Sequence, residues 1–166
     1  MDEPQPDPPQ RLLINSRADL QAALLQLIGR ARQQLRLAAL DLAVFALGDL
    51  QVVTALRSVL VAHPNNRIRL LVDDMAWLDN RAPRLRSLQR TFPHALLIRR
   101  ADPQDPVGGD VVAIGDDLDA LRLQPTRGIV GELWCRHGPF AQPLITEFDR
   151  RWERATHNQP PQPLGL

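Results

Sequence analysis

The amino-acid sequence predicts one α/β domain in which helices flank a mixed, mostly parallel β-sheet. Its 166 residues, 44% of them hydrophobic, suffice for one domain with a sizeable core. Short apolar runs typical of buried strands alternate with segments whose apolar residues recur at helical spacing. The predicted element order is β-α-β-α-β-α-β-β-β-α, and strands separated by helices favour parallel pairing.

The first hundred residues supply this alternation. Ser16 and Asp19 fit a capping box, so the segment that follows is predicted to be helical. Asn80 is predicted to cap the third helix. The predicted elements here are a strand at 11–14, a helix after Ser16, a strand at 37–45, a helix beginning at 48–49, a strand at 67–74, a helix after Asn80 and a strand at 94–100.

The rest of the chain has a different pattern. Residues 110–134 read as two or three short strands with turns, and a last helix is predicted over 139–156. The proline-rich segment 1–10 and the segment 158–166 are predicted to be a disordered arm and tail, because neither can contribute to a core. The folded domain is therefore predicted to span 11–157.

Composition excludes several classes of protein. The 20 basic residues are all arginine and face 19 acidic residues, so the net charge of +1 provides no strong overall field. Without lysine, mechanisms that need a lysine phosphate ligand, Schiff base or general base are excluded. One cysteine excludes an internal disulfide framework. No apolar run approaches the roughly 20 residues of a membrane helix, and the acidic start is unlike a signal peptide, so a cytoplasmic protein is expected.

Acidic residues follow several predicted strands. Asp41, Asp73, Asp74, Asp116 and Asp117 are expected at the carboxyl edge of a parallel sheet, where ligands of α/β proteins bind. Aspartate is also common in turns and helix caps, which is the more economical interpretation of each of them. No metal or cofactor is predicted, because neighbours on a strand point to opposite faces and no converging set of ligands can be read.

Cysteine and histidine offer a weak alternative. Cys135 and His137 lie two residues apart without a second ligand pair, which is a poor zinc signal. A Cys135–His137 nucleophile is conceivable, yet a lone cysteine beside tryptophan more often packs in a core. No serine lies in a G-x-S-x-G motif.

Arginine provides the other candidate site. Guanidinium groups bind phosphate through paired hydrogen bonds. The candidate phosphate-binding residues are those on the third predicted helix and at the end of the next strand: Arg84, Arg86, Arg90, Arg99 and Arg100. The same residues could form ordinary ion pairs on a solvated face.

Several stretches together carry a family resemblance over about residues 11–156. They are "INSRADLQAALLQLIGRARQQLRL", "RIRLLVDD", "ALLIRR", "DVVAIGDD" and, at the end, "FDRRWERA". In this order they resemble one half of the phospholipase D-like superfamily. More narrowly, "APRLRSLQRTFPHALLIRR" and "FDRRWERA" look like a bacterial family of uncharacterised phospholipase D-like domains.

The resemblance implies where a catalytic motif would lie. The superfamily signature is His-x-Lys-x4-Asp, with histidine as the covalent nucleophile and lysine as the phosphate ligand. If Asp116 is the terminal acid, Gly109 and Val111 occupy the other two positions; if Asp117 is, Asp110 and Val112 do. Neither register supplies a nucleophile or a cation. The candidate residues of this vestigial site are Asp73, Asp74, Asp110, Asp116 and Asp117.

Three functions therefore stay open. The resemblance favours a non-catalytic module that binds a protein partner or assembles with itself, since catalytic members bring two halves together around one site. Trp134, Pro139 and Phe140 are a candidate homodimer contact. The alternative is phosphate or nucleic-acid binding through the arginines. An enzyme of changed chemistry, using Asp73, Asp74, Asp116 or His137, comes last.

Overall fold

The computed structural model describes residues 3–5, 7–124 and 128–157. For residues 156 and 157 it describes the backbone alone. The strands are β1 (Gln10–Ile14), β2 (Gln34–Ala39), β3 (Arg67–Val72), β4 (Leu96–Arg100), β5 (Val111–Gly115), β6 (Asp119–Leu123) and β7 (Gly131–Cys135). The α-helices are α1 (Arg17–Arg30), α2 (Leu50–Ala62), α3 (Ala76–Arg81), α4 (Pro83–Thr91) and α5 (Gly138–His157). The α/β class predicted from the sequence is confirmed.

All seven strands form one sheet in the order β1-β7-β6-β5-β2-β3-β4. Only the pairs β2–β3 and β3–β4 are parallel, and the other four neighbouring pairs are antiparallel. The expectation of a mostly parallel sheet is therefore wrong for its second half. Helices connect β2 to β3 and β3 to β4. From β4 to β5, from β5 to β6 and from β6 to β7 the chain reverses its direction each time, and the described residues of these connections form no helix.

Two hydrophobic cores lie on the two faces of the sheet. Helices α1, α2 and α4 pack on one face through residues such as Leu27, Leu56 and Leu85, which are essentially fully buried. Helix α5 covers part of the other face with Ile145, Phe148 and Trp152. The i, i+3, i+7 spacing of these three residues is the reason that one side of α5 is apolar.

Local signals explain where several elements begin. The Ser16 hydroxyl accepts the Asp19 amide N–H at 3.1 Å, which confirms the cap predicted for α1. Asp41 caps a 3-10 turn at Leu42–Phe45 in the same way, so β2 ends at Ala39 and the strand predicted over 37–45 is wrong after that point.

The segment after β3 forms two helices where one was predicted. Asn80 lies inside α3 and is not a cap. Pro83 begins α4, at the first helical position, where a backbone N–H would have no partner within the helix and proline therefore costs no hydrogen bond. After β4, three short strands precede α5, in line with the two or three expected.

The ends of the predicted domain are described in part. β1 begins at Gln10, one residue before the expected boundary, and the Arg136 Nε donates to the Pro8 carbonyl oxygen at 3.1 Å. The tail predicted at 158–166 lies outside the described residues. Among the helices of the described part, none combines the length and apolar character needed to cross a lipid bilayer.

Candidate functional site

Strand direction decides which of the predicted acids lie together. β5 runs antiparallel to β2, with Val112 opposite Ala38 and Gly115 opposite Leu35. Asp110, just before β5, therefore lies at the same edge of the sheet as Asp73 and Asp74, which follow β3. Asp116 and Asp117 follow β5 and lie at the opposite edge. The expectation that Asp116 and Asp117 share an edge with Asp73 and Asp74 is wrong, because it assumed that every strand runs the same way.

Asp73 and Asp74 bind backbone at the first edge. The two Asp73 carboxylate oxygens accept the N–H groups of Val107 and Gly108 at 2.8 and 2.7 Å. Asp74 accepts the N–H of Ala76 at 2.8 Å in the turn before α3. Asp73 thus fixes the loop that leads into β5, and both aspartates have structural roles here.

Asp110 and Val112 line a cavity of about 260 Å³ between β5 and α5. These are the positions that the superfamily's histidine and lysine would occupy in the Asp117 register. The described residues around the cavity include no histidine, cysteine, serine or threonine: Ala38, Asp110, Val112, Arg122, Pro143, Leu144, Glu147, Phe148 and Arg151. The described lining therefore supplies neither the histidine nor the lysine of the superfamily signature, and its two carboxylates, Asp110 and Glu147, are both paired with arginine.

Ion pairs connect the charged groups of this cavity. Asp110 faces Arg122 Nη2 at 3.6 Å and Arg151 Nη1 at 3.3 Å. Arg151 also contacts Glu147 at 3.2 Å and Asp105 at 3.8 Å, and its buried Nε has no hydrogen-bond partner. In the Asp117 register, an aspartate thus stands at the position of the superfamily's histidine, and it is engaged by two arginines.

The same network ties α5 to the loop before β5. Arg150 binds Asp105 at 2.5 Å and Glu147 at 2.5 Å, and Arg154 approaches Asp105 at 3.3 Å. The hydrogen bond from Arg150 lowers the pKa of the Asp105 carboxyl and, in the same way, the pKa of Glu147. Helix α5 is therefore held over the cavity by a network of four arginines and three acids: Arg122, Arg150, Arg151 and Arg154 with Asp105, Asp110 and Glu147.

Asp116 has a structural role at the opposite edge. Its carboxylate accepts the backbone N–H groups of Arg32, Gln33 and Gln34 at 2.9–3.3 Å, while its own backbone has φ +51°. Asp117 beside it is exposed, and Arg36 Nη1 lies 3.6 Å away. Asp116 thus closes the turn after β5 onto the start of β2.

The five predicted phosphate-binding arginines do not form one surface. Arg84 donates to the Gly48 carbonyl oxygen at 3.2 Å, and Arg86 pairs with Asp79. Arg90 and Arg100 are exposed. Arg99 lies under α5, with its guanidinium 4.2 Å from the centre of a Trp152 ring. Because α4 and α5 are on opposite faces of the sheet, the set is divided between them.

Other arginines form a cluster that the sequence analysis missed. Arg36 on β2 stands opposite Arg69 on β3, and Arg67 stands opposite Gln34. We call Arg36, Arg67 and Arg69 the basic strip. The R-x-R spacing of Arg67 and Arg69 places both on one face of a strand and was the available signal.

Asp119 is a second residue that was missed. It is buried, binds Arg30 Nε at 2.8 Å and accepts the Arg136 backbone N–H at 2.8 Å. Cys135 is also buried, and burial raises the pKa of its thiol. Neither residue joins a metal site, since no group of three His, Cys, Asp or Glu among the described residues could hold a metal ion.

Of the predicted dimer contact, Trp134 lies on β7 where α5 leaves the sheet uncovered, and Pro139 and Phe140 lie in the first turn of α5. Helix α5 packs mainly over β4, β5 and β6, and Leu13 on β1 is 61% exposed. The Trp134 ring stacks on His137 at 4.5 Å and lies 6.2 Å from Phe140. We call Leu13, Trp134, Pro139 and Phe140 the uncovered sheet surface.

Solved structures with the same fold support the resemblance. Nuc from Salmonella typhimurium, a phospholipase D family member, is 12% identical, with 89% of this chain and 96% of that chain covered and a TM-score of 0.65. NucT from Helicobacter pylori is 13% identical, with 89% and 98% covered and a TM-score of 0.61. At these identities the likeness shows the fold.

A protein with another role has the same fold. TrmBL2, an archaeal chromatin protein described with a novel mode of DNA binding, is 11% identical, with a TM-score of 0.66. The match covers 87% of this chain and about half, 52%, of that protein. A comparison with curated protein sequences gives no match. The model of the family described as domain of unknown function DUF7931 matches residues 16–161, and the chain belongs to that family.

Proposed function

We propose that this chain is a phospholipase D-like module without phosphodiesterase chemistry, which acts by binding a protein partner or a second copy of itself. The observation that carries the proposal is the cavity at Asp110 and Val112. In the Asp117 register it has the position expected for the superfamily's catalytic groups, and in place of their histidine and lysine it holds Asp110, which two arginines engage, and Val112. With its single cysteine, the protein is proposed to work in the bacterial cytoplasm.

The uncovered sheet surface is the proposed contact. It combines an exposed leucine with a half-buried tryptophan and a half-buried phenylalanine, and aromatic residues are enriched at interface centres. A cavity of about 430 Å³ lies beside it, with Arg11, Leu13, Glu132 and Phe140 in its lining. Among the described strands, β1 pairs with β7 alone and so forms an edge of the sheet, the kind of edge that can pair with a strand of a partner.

Light scattering after size-exclusion chromatography tests self-assembly over a wide range of protein concentration. We expect a dimer that Leu13→Ser weakens. Val61→Ser is the matched control, because Val61 is 62% exposed on α2 at the other face. A monomer at every concentration would rule out self-assembly, and a dimer equally weakened by both substitutions would rule out this surface.

Hydrolysis of a chromogenic phosphodiester, with and without divalent metal ions, tests the absence of catalysis. We expect the wild-type protein and Asp110→Asn to give the same rate as buffer. Turnover by the wild type that is lost in Asp110→Asn would show that the aspartate has taken over a catalytic role, and the proposal would fail.

Nucleic-acid binding is a second candidate function, and the likeness to a chromatin protein that binds DNA favours it. The test is a fluorescence-anisotropy titration with short DNA and RNA at low and physiological salt. Affinity that falls steeply with salt would support contacts to several phosphates. Its loss on substitution of Arg84, Arg86, Arg90, Arg99 and Arg100 would assign it to the arginines that the sequence suggested.

A further inference from the structure

The basic strip lies towards the amino ends of β2 and β3. Arg36 and Arg69 are directly opposite each other in the parallel pair, and Gln34 and Arg67 form the next pair towards that edge. Residues two apart on a strand share a face, so all four side chains belong to the face that α5 covers. Asp110 lies at the other edge of the sheet, so this cluster is separate from the cavity described above.

The positive charge of the basic strip is incompletely compensated. Arg36 is only 5% exposed, and its buried Nε has no hydrogen-bond partner. One oxygen of Asp149 lies 3.5 Å from Arg36 Nε and also 3.5 Å from Arg69 Nη2, so a single carboxylate faces both guanidinium groups. Asp117 adds a second carboxylate 3.6 Å from Arg36. Like charges at opposed positions on neighbouring strands are destabilising, which makes this arrangement costly without a further anion.

Two further observations point the same way. Arg67 Nη1 donates to the carbonyl oxygens of Pro64 and Asn66 at 2.8 and 2.9 Å, and within the described part of the chain Arg67 has no ion pair. The pKa of Arg69 is lowered, first by burial and then by the charge of Arg36. The strip thus holds three guanidinium groups against two carboxylates.

A polar cavity of about 450 Å³ adjoins the strip. Its lining comes from the start of β2 and the turn before β3: Arg32, Gln33, Gln34, His63, Asn65, Asn66 and Arg67. Arg69 Nη2 donates to Gln34 Oε1 at 3.4 Å and so connects the strip to the cavity. No acidic side chain is among these lining residues; Asp116, the nearby acid, accepts the backbone N–H groups of Arg32, Gln33 and Gln34.

The lining is rich in hydrogen-bond donors. His63 Nδ1 accepts the Asn65 backbone N–H at 3.0 Å, so the neutral imidazole carries its proton on Nε2 and can donate from there. Arg32, Arg67 and the side-chain amides of Gln33, Gln34 and Asn65 supply further N–H groups, whereas the buried Asn66 amide donates to the Val59 carbonyl oxygen at 2.8 Å. Guanidinium forks combined with amide and imidazole donors suit the oxygens of a phosphate group.

We propose that this cavity, with Arg32 and Arg67 in its lining and Arg69 joined to it through Gln34, binds a phosphate group carried either by a free nucleotide or by a nucleic-acid strand. It deepens the second candidate function by assigning phosphate contact to arginines other than the five singled out from the sequence. It does not depend on self-assembly through the uncovered sheet surface.

The experiment uses the full chain and two probes, ATP by isothermal calorimetry and a fluorescein-labelled single-stranded oligonucleotide by anisotropy, at low salt. The test variants are Arg32→Gln and Arg67→Gln, and the matched control is Arg57→Gln, an exposed arginine on α2 across the sheet that belongs to neither set of candidate arginines. Arg36 is left unchanged because it is buried. We expect each test substitution to weaken binding roughly tenfold, as the loss of one charge-assisted contact does, and the control to have no effect.

The two probes separate the possible sources of the phosphate. Binding of ATP with the expected losses assigns the site to a free phosphorylated ligand, even if the oligonucleotide does not bind. Binding of the oligonucleotide alone, with a salt dependence that becomes shallower in Arg67→Gln, assigns it to a nucleic-acid backbone. Oligonucleotide binding that Arg57→Gln weakens as much as Arg67→Gln overturns this site and leaves nucleic-acid binding standing. If neither probe binds to the folded wild type, both this site and the second candidate function, nucleic-acid binding, are overturned.

Discussion

Asp116 allows the sharpest prediction about stability. Removing its carboxylate in Asp116→Ala leaves three backbone N–H groups without their acceptor. The amides of Arg32 and Gln33 are exposed, so water replaces much of what they lose, and we assign them about 1 kcal/mol together. The amide of Gln34 is half-buried and accounts for about 2 kcal/mol.

Backbone strain adds to this loss. Asp116 has φ +51°, a conformation that aspartate and asparagine tolerate better than alanine, and the difference is about 1 kcal/mol. Asp116→Ala is therefore expected to lower the free energy of unfolding by about 4 kcal/mol in total. Asp116→Gly should cost about 3 kcal/mol because glycine relieves the strain, and Asp116→Asn about 1.5 kcal/mol because one acceptor oxygen stays.

Urea denaturation followed by circular dichroism measures these differences through the transition midpoint. Asp117→Ala is the control, because the Asp117 side chain is 69% exposed and its contact with Arg36 is long, and we expect a change within about 0.5 kcal/mol. If Asp116→Ala destabilises the protein no more than Asp117→Ala does, the three amides do not depend on this carboxylate and the reasoning is refuted.

Two further predictions concern glycine and pH. A Cβ at Gly131 would lie 2.2 Å from the Arg122 carbonyl oxygen, so Gly131→Ala should lower the free energy of unfolding by about 3 kcal/mol or more. The space around a Cβ at Gly29 in α1 is open, so Gly29→Ala should raise the free energy of unfolding by about 0.5 kcal/mol. Thermal unfolding of the two variants checks this difference, and equal effects would contradict it. Arg150 lowers the pKa of Asp105 in the folded state, so this pair stabilises the protein above the ordinary carboxyl pKa of about 4 and the benefit is lost as pH falls through the lowered value. The stability difference between the wild type and Asp105→Asn should therefore shrink below about pH 4, and a difference that stays constant on acidification would contradict the assignment.

The elements that could be predicted are those with a local signal. Two such signals are confirmed, the cap at Ser16 and the i, i+3, i+7 stripe of α5. In each of them the residues that form the signal are only a few positions apart in the sequence. Strand direction has no such signal. β5 and β6 look alike as short apolar runs whichever way they run, and only pairing with β2 fixes the direction of β5. Asp116 therefore lies at the edge of the sheet opposite the one predicted.

Candidate residues were harder to predict because their partners are distant in the sequence. Arg36 and Arg69 lie inside apolar runs, where an arginine reads as an interruption of a strand. Their shared carboxylate, Asp149, comes from the last helix. The same holds for Asp110, which meets Arg151 on α5. No spacing in the sequence indicates such pairs, whereas the composition alone showed that lysine chemistry is absent.

The place of β1 at the edge of the sheet has a consequence for the order of folding. Of the described strands it pairs with β7 alone, and the two register pairs at its ends are Gln10 with Cys135 and Ile14 with Gly131. β1 leaves the ribosome first yet must wait for nearly the whole domain before it can pair, whereas β2, β3 and β4 can form their parallel unit early. Closing so long a loop is slow, so we expect docking of β1 to be a late kinetic step. During that wait, Leu12 and Ile14, which pack into the core of the finished sheet, are exposed on the nascent chain, and chaperone binding should concentrate there.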